Sequence, residues 1–232
     1  MIAMATLSAA RPFRERLATE LRGFHTPGWL AFALIALGVA IAPPIGALFV
    51  LLWAWISKTP WHELGLARPK SWILSIAIGL VAGVALKLAM KAVVMPLLGA
   101  PAINIGYQYV AHDTMAALDF AAYCLYGAGF AEELIFRGFL FERFGKLLGA
   151  STAATAATLL VATAIFAVAH WQQGIFGVIN AFITGLVLGL VYLAAGRKLV
   201  VPMIMHAAFD FTALVLILRD WEVPVAHLIF PG

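Results

Sequence analysis

The stretch Phe130-Ala131-Glu132-Glu133-Leu134-Ile135-Phe136-Arg137-Gly138 sets two adjacent carboxylates and a guanidinium inside an otherwise apolar run. A charged side chain at mid-bilayer depth costs roughly 2.5–3.5 kcal/mol or more, so ionisable residues at that depth mark functional sites by default. On a helix, Glu133 and Arg137 stand at i and i+4 with the acid N-terminal, the better orientation for an ion pair, while Glu132 is turned about 100° away. Glu133 is therefore read as the partner of Arg137, and Glu132 is left free for chemistry. On this motif alone, a plain ion pair near a helix end competes with that reading.

The surroundings of the motif decide the fold class. The chain has 232 residues, 64% of them hydrophobic and 11% charged, where soluble domains run about 45–50% apolar and about 25% charged. The apolar runs are about 20 residues long and do not alternate with period two, which selects helices over a barrel. The expectation is an all-α polytopic integral membrane bundle of about six transmembrane helices. Its net charge of +4 comes from Lys and Arg clusters between the apolar runs. That placement suits membrane lipids and the positive-inside rule, and no nucleic-acid module is visible. The single Cys124 excludes an intrachain disulfide and reads as a packing residue.

Outward from the motif, the chain divides into a basic amphipathic segment (1–27), N-terminal transmembrane helices (28–110) and a core that carries the charged residues (111–232). Met1 to Ala10 carry no basic region, and the first long apolar run starts at Trp29 after several arginines, the wrong order for a cleavable signal peptide. Arg11 to Gly23 reads as a basic helix lying on the membrane surface or, equally, as a mobile basic tail. Trp29 to Ile56 is interrupted by Pro43-Pro44, so it is either one kinked span or a hairpin within the membrane. Length favours the span. Charge favours the hairpin, because it gathers the arginine-rich N-terminus, Lys58, Arg68, Lys70, Arg143, Lys146, Arg197 and Lys198 on one side. Further spans are expected at Ser71–Met95, Ala150–His170, Ile175–Ala195 and Val200–Leu218, with Met115 to about Lys146 as one long helix. Lys87 and Lys91 at i and i+4 snorkel or face a wet surface. Gly185 and Gly189 form a small-xxx-small pair suited to close helix approach.

The ionisable residues of the second half fall on separate spans: Glu132, Glu133 and Arg137, then His170, then His206 and Asp210. Phe166 shares a face with His170, and His206 shares one with Asp210. A carboxylate beside an imidazole can activate water as a general base, and a further polar group can stabilise an oxyanion, so amide hydrolysis suits these residue types. Two His with one or two Glu are also ordinary zinc ligands. No Gly-x-Ser-x-Gly elbow is present. His62-Glu63-Leu64-Gly65-Leu66 fails as a zinc-protease signature because Leu66 stands where the second His is needed.

Glu132-Glu133-Leu-Ile-Phe-Arg137, Phe166-Ala-Val-Ala-His170 and His206-Ala-Ala-Phe-Asp210 resemble, in order and spacing, the EExxxR, FxxxH and HxxxN/D motifs of the CPBP family of CAAX prenyl and bacteriocin-processing (Abi-like) intramembrane endopeptidases. The resemblance covers roughly Asp119 to Leu218, and Glu63-Leu-Gly-Leu66 is similar to a short element that often precedes it. It implies a glutamate-dependent endopeptidase without an obligatory metal. In that frame Glu132 with His170 activates water, Glu133 and Arg137 orient the helix, and His206 with residue 210 binds the oxyanion. Asp210 stands where prenyl endopeptidases usually carry Asn, and an ionised Asp cannot donate, so Asp210 is expected to orient His206. The implied partners are membrane lipids and a peptide or lipidated protein substrate, and the implied location is the bacterial cytoplasmic (inner) membrane. Two rivals stay open: a non-catalytic immunity or scaffold protein of the same fold, and a zinc-dependent membrane hydrolase. A transporter is disfavoured because no inverted repeat is visible. One geometric difficulty accompanies the resemblance. If Ala150 and Leu199 mark one interface, His170 lies about 30 Å along its helix and His206 only about 10 Å along its own.

Overall fold

The computed structural model describes residues 12–230, so the readings of Met1 to Ala10 and of Arg11 lie outside the described residues. Every regular element among those residues is helical. The order is α1 (Phe13–Arg22), α2 (Thr26–Ile41), α3 (Pro43–Ser57), a 3-10 turn at Trp61–Leu64 and α4 (Trp72–Ala89). A π turn at Met90–Val94 carries α4 into the short α5 (Met95–Leu97), and a second 3-10 segment covers Ile105–Val110. There follow α6 (Thr114–Tyr123), two π-helical stretches at Cys124–Glu132 and Leu134–Phe139, and α7 (Leu140–Leu148). These four pieces form one continuous helix over 114–148, here the motif helix. The chain ends with α8 (Thr152–Ala169), α9 (Gly174–Ala194), α10 (Val200–Leu218) and α11 (Glu222–Ala226).

Pro43-Pro44 makes a hairpin, the arrangement that the charge pattern favoured. Ala42 is extended (φ −165°, ψ 137°) and ends α2, and the prolines occupy the first turn of α3, where a missing N–H leaves no bond unmade. The arms run antiparallel and close together: a Cβ on Gly38 would stand 3.0 Å from the Gly46 Cα. At the far end the Trp53 indole N–H donates to the Leu21 carbonyl at 3.1 Å. The arms hold 16 and 15 residues, about 24 and 22 Å, shorter than a hydrocarbon core of about 30 Å.

Among the described residues four helices are long and apolar enough to cross a bilayer: Trp72–Leu97, Thr152–Ala169, Trp171–Ala194 and Val200–Leu218. The count reaches five if α1 and α2, bent by 65° at Gly23–His25, are one span. The expected total of about six had added the motif helix and the region of the hairpin, whose α3 is too short by this measure. The outer faces are those of a membrane protein, with Ile73 84% and Val81 71% exposed on α4.

Small residues set the packing. Gly79 and Gly83 on α4 let α10 approach so closely that a Cβ at either would meet α10 atoms. Gly185 and Gly189 on α9 do the same for Phe166 and Leu159 of α8, as the small-xxx-small spacing implied. The main core is shared by the hairpin (Ile35, Val50, Trp53), the motif helix (Leu134, Phe136, Phe139) and α8 to α9 (Phe166, Ala181, Tyr192). Gly65, in a left-handed turn at φ +75°, seats the start of α10: its carbonyl accepts the Leu199 N–H at 3.0 Å, and Leu199 is 1% exposed. α10 is thus anchored at its start to the Gly65 turn, and Phe166 of α8 lies against His206 near the α8 end that carries His170.

Candidate active site

The motif helix carries the acidic pair on π-helical backbone. Turns closed by i→i+5 hydrogen bonds are rare and gather at functional sites. Their effect is visible in Tyr123, whose hydroxyl donates to Glu132 Oε1 at 3.0 Å. On a regular helix, nine residues make about two and a half turns and put these side chains on opposite faces. The wider turns return them to one face, and the ring reaches Glu132 across Gly127, where a Cβ would collide with it.

Glu133 and Arg137 pair as the spacing predicts. The Arg137 guanidinium donates to Glu133 Oε1 at 2.6 Å and to the Gly185 carbonyl at 3.0 Å, and it lies 4.5 Å from the centre of the Phe166 ring. Glu133 is 0% exposed. The same Oε1 accepts from His206 Nδ1 at 2.7 Å. Glu133 thus holds the histidine, the task expected of Asp210. Asp210 Oδ2 stands 3.8 Å from His206 Nε2, outside hydrogen-bonding reach, and its side chain is 25% exposed. The physical reason is burial: the fully enclosed carboxylate needs donors, and the ring meets that need, while Asp210 can be solvated.

Glu132 has the opposite situation. It lines a cavity of about 1020 Å³ whose wall also includes His170, His206, Asp210, Phe166, Tyr107 and Lys87, but neither Glu133 nor Arg137. Its Oε2 receives no hydrogen bond from any described residue, and His206 Nε2 stands 3.9 Å from it. His170 Nδ1 lies 2.8 Å from the Phe166 carbonyl. A carbonyl only accepts, so a proton sits on Nδ1, and Nε2 makes no hydrogen bond to a described residue. The two histidines, which simple counting put about 20 Å apart in depth, share Phe166 as a wall: its ring centre is 4.6 Å from that of His170 and 5.9 Å from that of His206.

The far rim of the cavity is a layer of loop and short helix. Glu222 on α11 accepts from Lys91 at 2.9 Å, from Gln108 at 2.7 Å and from the Asn104 amide at 3.3 Å. Gln173 donates to the Tyr107 hydroxyl at 2.7 Å. Burial and the Asp210 and Glu132 carboxylates push the Tyr107 phenol up, so it remains a neutral donor. Lys87 and Lys91 face this interior, the wet-surface half of the sequence expectation. Among the described residues no group of three or more His, Cys, Asp and Glu is arranged to hold a metal ion.

All six candidates, Glu132, Glu133, Arg137, His170, His206 and Asp210, fall in one neighbourhood. Sequence reading missed Tyr123, Gly185 and Glu222. A tyrosine nine residues before the motif carried a signal only under π periodicity, and the Gly185 carbonyl carries none.

Residues 114–212, less than half of the chain, match the family model described as type II CAAX prenyl endopeptidase Rce1-like. The match begins at the first turn of the motif helix and ends just beyond Asp210, so it contains all three motifs, and it supports the resemblance read from them. No curated protein and no solved structure matches the chain.

Proposed function

We propose that this integral membrane protein is an intramembrane endopeptidase of the CAAX prenyl endopeptidase type, which hydrolyses a peptide bond of a membrane-associated or lipidated substrate. The family match supports protease chemistry in general. The observation that carries the finer reading is the contrast between neighbouring carboxylates: each keeps one oxygen without a hydrogen-bond partner, but Glu133 is tied to Arg137 and His206 away from the cavity, while Glu132 lines the cavity and is held only by the neutral Tyr123 hydroxyl.

In this reading Glu132 Oε2 and His170 Nε2 receive one water between them, and Glu132 takes its proton as general base. The water oxygen bonds to the scissile carbonyl carbon, and the carbonyl electron pair moves onto its oxygen. His206, protonated on both nitrogens and held through Nδ1 by Glu133, donates a hydrogen bond from Nε2–H to that oxyanion and keeps its proton. The oxyanion then collapses, the C–N bond breaks, and the proton held by Glu132 passes to the leaving amine. Tyr123 fixes the carboxylate, and Phe166 with Arg137 walls the rings. Asp210, as an acceptor, assists by charge and by solvating the cavity. The location proposed is the bacterial cytoplasmic membrane.

The test is cleavage by purified protein in lipid nanodiscs of a library of alkyl-tailed fluorescent peptides, read by mass spectrometry, with and without chelator. Glu132→Ala and His170→Ala should each abolish cleavage while the protein stays folded; full activity in both would sink the assignment. Loss with chelator and recovery with zinc would move the chemistry to a metal. Retention of a cellular effect by Glu132→Gln would favour an immunity or scaffold protein.

A further inference from the structure

Lys87 is the charge that the proposed chemistry leaves unused. It stands on α4 in the cavity wall, with its ammonium 4.5 Å from the centre of the Phe209 ring of α10. Among the described residues it makes no hydrogen bond and has no carboxylate within 4.0 Å. Lys91, one turn further along the same face, gives two of its three donors to Glu222 and the Ala102 carbonyl. The two lysines therefore differ in kind: one fastens the rim, and the other holds its donors toward the interior. Asp210, next to Phe209, attracts Lys87 from beyond ion-pair distance and offsets its charge without occupying those donors. An ammonium at this depth is costly unless an anion comes to it.

Resting on the endopeptidase reading, we infer that Lys87 is a specificity residue that docks a carboxylate of the peptide substrate. Phe209 lies three residues beyond His206, about 4.5 Å further along α10. An extended peptide advances about 3.3 Å per residue, so a carboxylate on Lys87 belongs to a residue only a few positions from the scissile bond. The Phe209 ring below the ammonium keeps it desolvated on one side, and this strengthens its pull on an incoming anion. The same chemistry could come from the C-terminal carboxylate or from an Asp or Glu side chain.

The experiment uses the full-length protein in nanodiscs and one alkyl-tailed fluorescent peptide library, made as the free acid and as the C-terminal amide. Each form is also made with Asp and Glu replaced by Asn and Gln. Equilibrium binding by anisotropy is read beside kcat/KM. A charge-assisted contact of this type is worth about 10- to 100-fold, so the preference of the wild type for carboxylate over neutral peptide should be of that size. It should collapse to about one in Lys87→Gln and persist in Lys87→Arg. Preference that follows the terminus assigns the C-terminal carboxylate; preference that follows the side chains assigns an internal one. Equal handling of acid and neutral peptides by the wild type, or an unchanged preference in Lys87→Gln, overturns the subsite. Absence of cleavage with every peptide would overturn the endopeptidase reading, while the binding ratio would still decide Lys87.

Discussion

The two ends of the motif helix treat charge in opposite ways. Around α7, charge is matched to charge and to backbone. Arg143 donates to the Arg22 and Gly23 carbonyls at 3.0 Å each and lies 4.3 Å from the Phe24 ring centre, and Lys146 bridges Glu63 and Glu142. Around the acidic pair, matching stops halfway: Glu133 Oε1 is tied to Arg137 and His206, while Glu132, held only by the Tyr123 hydroxyl, and Lys87 line the cavity without an ion-pair partner of their own among the Lys, Arg, Asp and Glu described. The difference lies in pairing and not in the amount of charge. Paired charge fixes where the helix stands; unpaired charge at the same depth keeps its interaction energy for something that arrives.

That contrast can be broken, beginning with the largest effect. Glu132→Gln should lower kcat by about 10²- to 10⁴-fold with an unchanged melting transition in detergent; a variant that unfolds instead would move Glu132 to the structural side. Arg137→Met should do the reverse, costing about 3–5 kcal/mol of stability because the buried Glu133 carboxylate loses its guanidinium partner, read by denaturant titration of the lipid-bound protein. Glu222→Gln sharpens the boundary between the ends: with Lys91 unpaired, the 98–111 segment should open at a cost lowered by about 1–3 kcal/mol, seen as faster amide exchange confined to that segment. Smallest is Lys58→Ala, which removes a pair to Glu15 that is roughly half exposed on both sides. It should change stability by less than about 1 kcal/mol, and a larger loss would mean that the outer charges also hold the hairpin.

Much of this organisation was legible before any coordinates. The limits of α10, Val200–Leu218, coincide with the expected span, and all six candidate residues came from ionisable positions within apolar runs and from the resemblance of three motifs to those of a family. Charge distribution pointed to the hairpin at Pro43-Pro44, where length pointed the other way, because length does not register a proline that starts a helix instead of kinking one. Depth was not legible. Counting rise along each helix assumed that both run straight from one interface, and only the packing of both histidines against Phe166 shows that they meet. The partner of His206 was misread for a related reason: sequence spacing ranks Asp210 by its i+4 position, whereas the contact with Glu133 joins residues 73 positions apart.

The π-helical stretch before the motif makes this site depend on residue count as much as on residue type. A single deletion between Tyr123 and Glu132 would let the ladder close in regular α register, leaving every side chain chemically intact. Eight residues in α register make about 2.2 turns where the nine wide ones make about two, so the downstream charges would swing by roughly a fifth of a turn, turning Glu132 from the cavity and drawing Arg137 off the Gly185 carbonyl. A frame of this kind tolerates exchange more readily than shortening. Along these nine residues, evolution is expected to substitute freely at lipid-facing positions such as Leu125 and to conserve length without exception.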